Sequence, residues 1–143
     1  MASMDLMNNI DVKRGLSPVA AVTDNTAFVS EIVDTAGAES ATFVILTGSL
    51  ADADATFAVL FEDGNVSNLS DNAAVDDAFL IGTEALAGFT FAADNKVFKI
   101  GYKGIKRYCR VTITPANNTG NAFIAGVWIL SHLRSAPSAN PPA

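Results

Sequence analysis

Hydrophobic positions along the chain fall in short alternating runs of roughly four to eight residues, and none of these runs shows the spacing of an amphipathic helix. Phe28, Ser30 and Ile32 set against Val29, Glu31 and Val33 form a β-branched run between Asp24-Asn25 and Asp34-Thr35-Ala36-Gly37, which predicts a strand between turns. The same pattern predicts strands over residues 42–47 before Gly48-Ser49, 56–62 before Asp63-Gly64-Asn65, and 79–82. Over Val97–Tyr102, Phe98, Ile100 and Tyr102 share one face while Lys99 and Gly101 share the other, so the basic face looks outward. After Lys103-Gly104, residues 105–114 direct Ile105, Cys109, Val111 and Ile113 inward, with Arg107 breaking that set. The stretch Ala122–Ser131 is nearly all apolar and sets Gly126 beside Trp128, which predicts a strand buried on both faces or covered by a partner.

With an opening strand over residues 18–22, about eight short strands are joined by Gly, Asn, Asp and Pro turns, the pattern of an all-β sandwich or barrel. Residues 67–78, rich in Asn, Asp and Ala, predict a loop with one helical turn, and residues 84–88 a second such turn. The tail over residues 135–143 has no core-forming side chains, and Pro141-Pro142 cannot join a ladder, so it is expected to be an extended arm. Residues 1–16 are expected to form a second arm, which leaves 17–134 as the β-sandwich domain. No segment repeats at a fixed period.

Composition narrows this picture. A chain of 143 residues that is 50% hydrophobic and 17% charged has the length and apolar content of one folded domain, not of a disordered segment. Its apolar runs stop far short of the ~20 residues that cross a bilayer, so no membrane partner is expected. Met1-Ala2-Ser3-Met4-Asp5-Leu6 has neither a basic nor an apolar leader region, which implies synthesis in a cytosol. The lone cysteine, Cys109, excludes an internal disulfide and sits where a small core residue belongs.

Net charge is −6, but the distribution says more: residues 1–94 carry all 15 acids and two bases, a charge of −13, whereas 95–143 carry seven bases and no acid, a charge of +7. An acidic chain of this kind is a poor binder of nucleic acid through phosphate neutralisation. The basic cluster Lys96, Lys99, Lys103, Lys106, Arg107 and Arg110, interleaved with Phe98, Tyr102 and Tyr108, has three readings. It is a solvated face, a nucleic-acid groove disfavoured by the rest of the chain, or a ribbon that meets acidic loops of its own fold, of a second copy or of another protein. Lys103, Lys106, Arg107 and Arg110 are the candidate attachment residues. The apolar run ending in Trp128 predicts that part of the last strand is covered on oligomerisation.

Catalytic and metal chemistry finds no set of residues. His132 is the only histidine, no Gly-x-Ser-x-Gly elbow exists, and no His or Cys group has metal-site spacing. Asp52, Asp54, Thr56 and Asp63 mimic an EF-hand count, yet Phe57 occupies the glycine position. Asp71, Asp76 and Asp77 suit solvated turns, and Gly101 with Gly104 lacks the remaining residues of a phosphate loop. No enzyme, metal or cofactor is expected.

Three strings carry a family resemblance: Leu80-Ile-Gly-Thr-Glu-Ala85, Lys99-Ile-Gly-Tyr-Lys-Gly-Ile-Lys-Arg-Tyr108 and Arg110-Val-Thr-Ile-Thr-Pro115. With Asn8-Asn-Ile10 and Ser17-Pro18-Val19, they make the chain similar to the capsid cement, or decoration, proteins of tailed phages. The resemblance implies a jelly-roll β-sandwich on the outside of an expanded HK97-like head. There it would join adjacent capsomers against DNA pressure, with the major capsid protein and a second copy of itself as partners. A low-copy head-completion, tail or fibre adaptor is the alternative.

Overall fold

The structure, a computed structural model, describes residues 3–141. Its strands are β1 (Ile10–Leu16), β2 (Phe28–Val29), β3 (Val33–Asp34), β4 (Ser40–Leu50), β5 (Thr56–Gly64) and β6 (Ala73–Ala74). They continue with β7 (Leu80–Ile81), β8 (Phe89–Thr90), β9 (Val97–Tyr102), β10 (Tyr108–Ala116) and β11 (Ala122–Ser131); one helical turn, α1 (Glu84–Ala87), precedes β8. One sheet runs β1-β11-β4-β9-β7 and the other β2-β10-β5-β6, with β3 also on β10 and β8 also on β5. β2 and β3 share one edge of β10, and β6 and β8 share one edge of β5, so each pair acts as a single interrupted strand. Counted that way, and with the two-residue β7 at the edge of β9 set aside, the two four-stranded orders are first-eighth-third-sixth and second-seventh-fourth-fifth, the double Greek key of a jelly roll. The expected all-β jelly-roll sandwich is therefore the fold.

Strand alternation builds the core. Along β11, Ala122, Ile124, Gly126, Trp128 and Leu130 are buried while the residues between them are less so. Trp128 lies edge-on to Phe43 of the same sheet at 4.8 Å and to Phe61 of the opposite sheet at 5.6 Å, and Phe61 stacks on Tyr102 at 5.4 Å. A second aromatic stack joins Phe57 to Phe89 at 4.9 Å and Phe89 to Phe98 at 5.0 Å. The Trp128 indole N–H donates to the Glu31 carbonyl at 3.2 Å, which leaves no buried donor stranded. Cys109 is fully buried in this core, and burial, followed by the nearby Asp63 charge, pushes its thiol up to about 12.

Several elements depart from the sequence pattern for identifiable reasons. The predicted 28–33 strand is split because Ser30 and Glu31 stitch the two sheets together: Ser30 N–H donates to Val111 O and Glu31 N–H to Gly15 O, both at 2.9 Å. Val111 N–H returns a bond to Ser30 Oγ at 2.9 Å. Strand β10 begins at Tyr108, not at residue 105, and Ile105 is 93% exposed instead of inward. The chain there bends over the Tyr102 ring, whose hydroxyl accepts from Lys106 N–H at 3.1 Å, and a Cβ on Gly104 would lie 2.3 Å from that oxygen. Of the opening strand over 18–22, only the Val22–Ala122 bridge forms.

The expected arm over residues 1–16 is a correction in part: Ile10–Leu16 is the edge strand β1, paired with β11 from Ile10–Ser131 to Leu16–Gly126. Charged Asp11 and Lys13, themselves an ion pair at 3.0 Å, conceal its alternation. The tail does not reach freely away either, since Ser138 N–H donates to Asn8 O at 2.9 Å and its hydroxyl to Ile10 O at 2.5 Å. The expectations for Met1, Ala2, Pro142 and Ala143 lie outside the described residues.

Two measurements follow from this packing. A Cβ added at Gly126 would lie 2.4 Å from Phe43 Cζ, so Gly126→Ala should cost about 1–3 kcal/mol, measured by urea unfolding followed through Trp128 fluorescence. Asp52 accepts from Thr119 Oγ1 at 2.6 Å, Thr119 N–H at 2.7 Å and Asp54 N–H at 3.0 Å, which holds its carboxyl well below the usual carboxylate range. A depressed folded pKa contributes stability that is present above the unfolded value of about 4 and lost as pH falls toward the folded one. Asp52→Asn should therefore flatten the stability–pH profile below about pH 4.

Candidate functional site

The basic ribbon meets the acids of its own fold. Arg110 stands directly across from Glu62 on β5, and its Nε and Nη2 donate to Glu62 Oε2 at 3.0 and 2.8 Å. The other Glu62 oxygen accepts from the Asn72 side-chain amide. Lys106 Nζ lies 2.9 Å from Asp63 Oδ1, and the Tyr102 hydroxyl donates to Asp63 Oδ2 at 2.8 Å. Burial, then that bond to Asp63, raises the Tyr102 pKa. Arg107 grips Asp34 in a two-pronged pair at 2.8 and 2.7 Å, and its guanidinium sits over the Tyr108 ring at 5.1 Å. The bond from Arg107 is the main cause that lowers the Asp34 pKa.

Three of the four candidate attachment residues are thus engaged internally. Lys103 differs: its backbone N–H donates to Phe79 O at 2.9 Å, but its exposed side chain makes no ion pair among the described residues. Trp128 is a correction, since its side chain is fully buried between Phe43 and Phe61 and has no surface to offer a partner.

The remaining acids and glycines have structural tasks. Asp71 accepts from Asn65 and Val66 N–H at 2.8 and 3.2 Å, and Asp76 caps a short turn through Ala78 N–H at 2.8 Å. The members of the EF-hand-like set diverge, Asp52 to Thr119 and Asp63 to Tyr102. Among the described residues, no three His, Cys, Asp or Glu side chains are grouped to hold a metal ion. His132, exposed, places Nδ1 3.2 Å from Oγ of the half-buried Ser131, with no acid among the described residues completing a triad. No described helix is long and apolar enough to cross a membrane.

What the fold leaves open is the outer face of the first sheet. The residues of β11 that alternate with its buried set are Phe123, Ala125, Val127 and Ile129. Register places Ala125 beside Leu46, Leu46 beside Val97, and Val127 between Val44 and Arg14. Farther across, Gly101 pairs with Ile81. Val97 is 63% exposed, Ile81 59%, Leu46 51% and Val127 39%, so a contiguous apolar surface spans the sheet. Its charges are Arg14, whose Nη2 pairs with Glu31 Oε1 at 2.7 Å at the β1 edge, and Lys99, which makes no ion pair among the described residues. At one end Pro18, Leu46, Gly48, Asn95 and Phe123 line a recess of about 330 Å³. Strand parity was the available signal: once Trp128 is fixed inward, Phe123, Ala125 and Val127 must face out.

No known protein family matches the sequence, and no curated protein does. Among solved structures, several are loosely similar to it. A family 35 carbohydrate-binding module from an environmental isolate is 12% identical, with 82% of this chain and 77% of that one covered and a TM-score of 0.46. The SPBc2 prophage-derived protein YomS is 11% identical over 88% and 99%, with a TM-score of 0.46. The PRD1 vertex protein P5 is 6% identical over 87% and 97%, with a TM-score of 0.43. Likeness of this degree transfers no function.

The ion pairs should separate by burial. Glu62 is 10% exposed and Arg110 25%, so Glu62→Ala, which strands Arg110 and the Asn72 amide, should cost about 2–4 kcal/mol. Asp34 and Arg107 are 43% and 54% exposed, so Asp34→Ala should cost less than about 1 kcal/mol. Thermal unfolding of both variants checks the ranking.

Proposed function

We propose that the protein is a structural virion component that binds the outside of an HK97-like phage capsid as a homodimer. There it joins neighbouring capsomers and stabilises the head against DNA pressure. The observation that carries this reading is the apolar outer face of the first sheet, a surface broad enough for protein contact and without any recess lined by convergent catalytic groups. The strings around Gly101–Arg107 and Arg110–Pro115 that resemble cement proteins support it.

The chain ends support it further. Met4, Leu6 and Met7 project apolar side chains from the N-terminal segment, beside the tail that Ser138 holds there. Such points outside the sheet spread contact across a seam, and many modest contacts repeated over a lattice add up through multivalency. With Glu62, Asp63 and Asp34 committed to internal pairs, the domain presents a shell with an apolar surface edged by lysines.

The test is the copy number of this chain relative to the major capsid protein in purified virions. A ratio near one per capsid subunit is expected; a few copies per particle would favour a head-completion, tail or fibre adaptor, and absence would overturn the virion role. Val127→Asp, on the outer face of β11, should leave the unfolding free energy within about 1 kcal/mol of the parent but reduce sedimentation with heads lacking the protein by at least about tenfold.

A further inference from the structure

The edge of β9 away from β4 is open over half its length. Thr47 N–H donates to Lys96 O, and the register pairs Ile45 with Phe98 and Phe43 with Ile100, so the even-numbered residues of β9 turn their backbone groups toward β4. The odd-numbered ones turn theirs the other way, as Lys103 N–H does in reaching Phe79 O. Strand β7 covers that side only at Gly101 and Tyr102, because Gly82 turns the chain away with φ +87°. The N–H and C=O groups of Val97 and Lys99 therefore project from the sheet with no partner among the described residues.

Two further features lie along this edge. Lys96 and Lys99 are exposed beside its open part and Lys103 just past the part that Phe79 and β7 cover, and none of the three makes an ion pair among the described residues, in contrast with Lys106, Arg107 and Arg110. Beneath it, Phe89, Ala92, Ala93, Val97 and Phe98 line a mostly apolar groove of about 480 Å³, with Lys96 at its rim. Like charges discourage the same edge of a second copy from pairing here. An extended chain that alternates acidic and apolar side chains meets all three features: backbone bonds to Val97 and Lys99, carboxylates to the lysines, and an apolar anchor in the groove.

We infer that the free edge of β9 accepts an extended acidic segment of the shell subunit as an added β-strand, anchored by an apolar side chain in the groove beside Phe98. This rests on the shell-binding reading above and assigns its recognition element. The edge adjoins the apolar outer face through Val97, so both surfaces engage one partner at once.

The experiment measures binding of the full chain to purified expanded heads that lack it. Lys99→Glu reverses the central charge, and Val97→Pro removes an outward N–H at the first residue of the strand, where proline is tolerated. Each should weaken binding by about tenfold, whereas Thr114→Glu, an exposed control on the outer face of the second sheet, should not. On the parent protein, hydrogen exchange should show protection of residues 97–99 when heads are bound, a readout that needs no variant to fold. Binding by the parent with both edge variants unaffected, or with no new protection at 97–99, overturns the inference and leaves the shell-binding reading intact. Equal loss in Thr114→Glu replaces it with general charge attraction, and failure of the parent to bind overturns both.

Discussion

The fold turns on a single close approach. Phe43 of β4 lies flat enough against β11 and β1 that a Cβ on Gly126 or Gly15 would come within 2.4 Å of its ring. Only with both positions bare can Trp128 stand edge-on to Phe43 and to Phe61 and join the two sheets through one aromatic group. Strand parity does the rest. Fixing Trp128 inward commits Ile124 and Leu130 to the core and forces Phe123, Ala125 and Val127 onto the outer face. The same contact that closes the sandwich thus sets the apolar surface on which the proposed function depends.

Charge segregation along the chain is resolved by topology. The jelly roll brings β10 against β5 and β3, so the basic segment after residue 95 lies across from Glu62, Asp63 and Asp34. A sequence with acids in one part and bases in the other would repel within each part if unfolded and compact; folding places opposite charges in register. Glu62 and Asp63, nearly buried, depend on these partners far more than Asp34 does. The pairing also sorts the cations, leaving Lys96, Lys99 and Lys103 outside any ion pair among the described residues.

Strands with one buried and one exposed face were legible in the sequence: β9 and β11 match their predicted bounds, and β4 and β5 differ only in length. What failed was decided by long-range partners. Nothing local distinguishes Ile105 from an inward strand residue; the Tyr102 hydroxyl beneath the turn displaces it. Nothing local marks β1 as paired, because Asp11 and Lys13 satisfy each other beside the ladder. The apolarity of its strand alone points Trp128 to an interface, since a run apolar on both faces does not reveal which face a core will claim. Lys106, Arg107 and Arg110 were legible as a cluster but not as internal partners, because sequence gives residue types and withholds register.

The two outer faces of the sandwich now contrast. On the second sheet, Arg110, Thr112 and Thr114 lie opposite Glu62, Leu60 and Ala58, a surface whose charges are matched by its own members. On the first sheet, the corresponding positions are Val44, Leu46, Val97, Phe123 and Val127, with Lys99 among them and no acid to match it. A domain that lived alone in water would gain nothing by segregating its outer faces in this way, because an apolar patch of several neighbouring strands invites association. Association through the apolar face alone would be poorly directed, since hydrophobic contact fixes neither register nor orientation. The unpaired edge of β9 supplies what that face lacks: backbone groups at fixed spacing and three cations that accept one partner chemistry and repel their own copies.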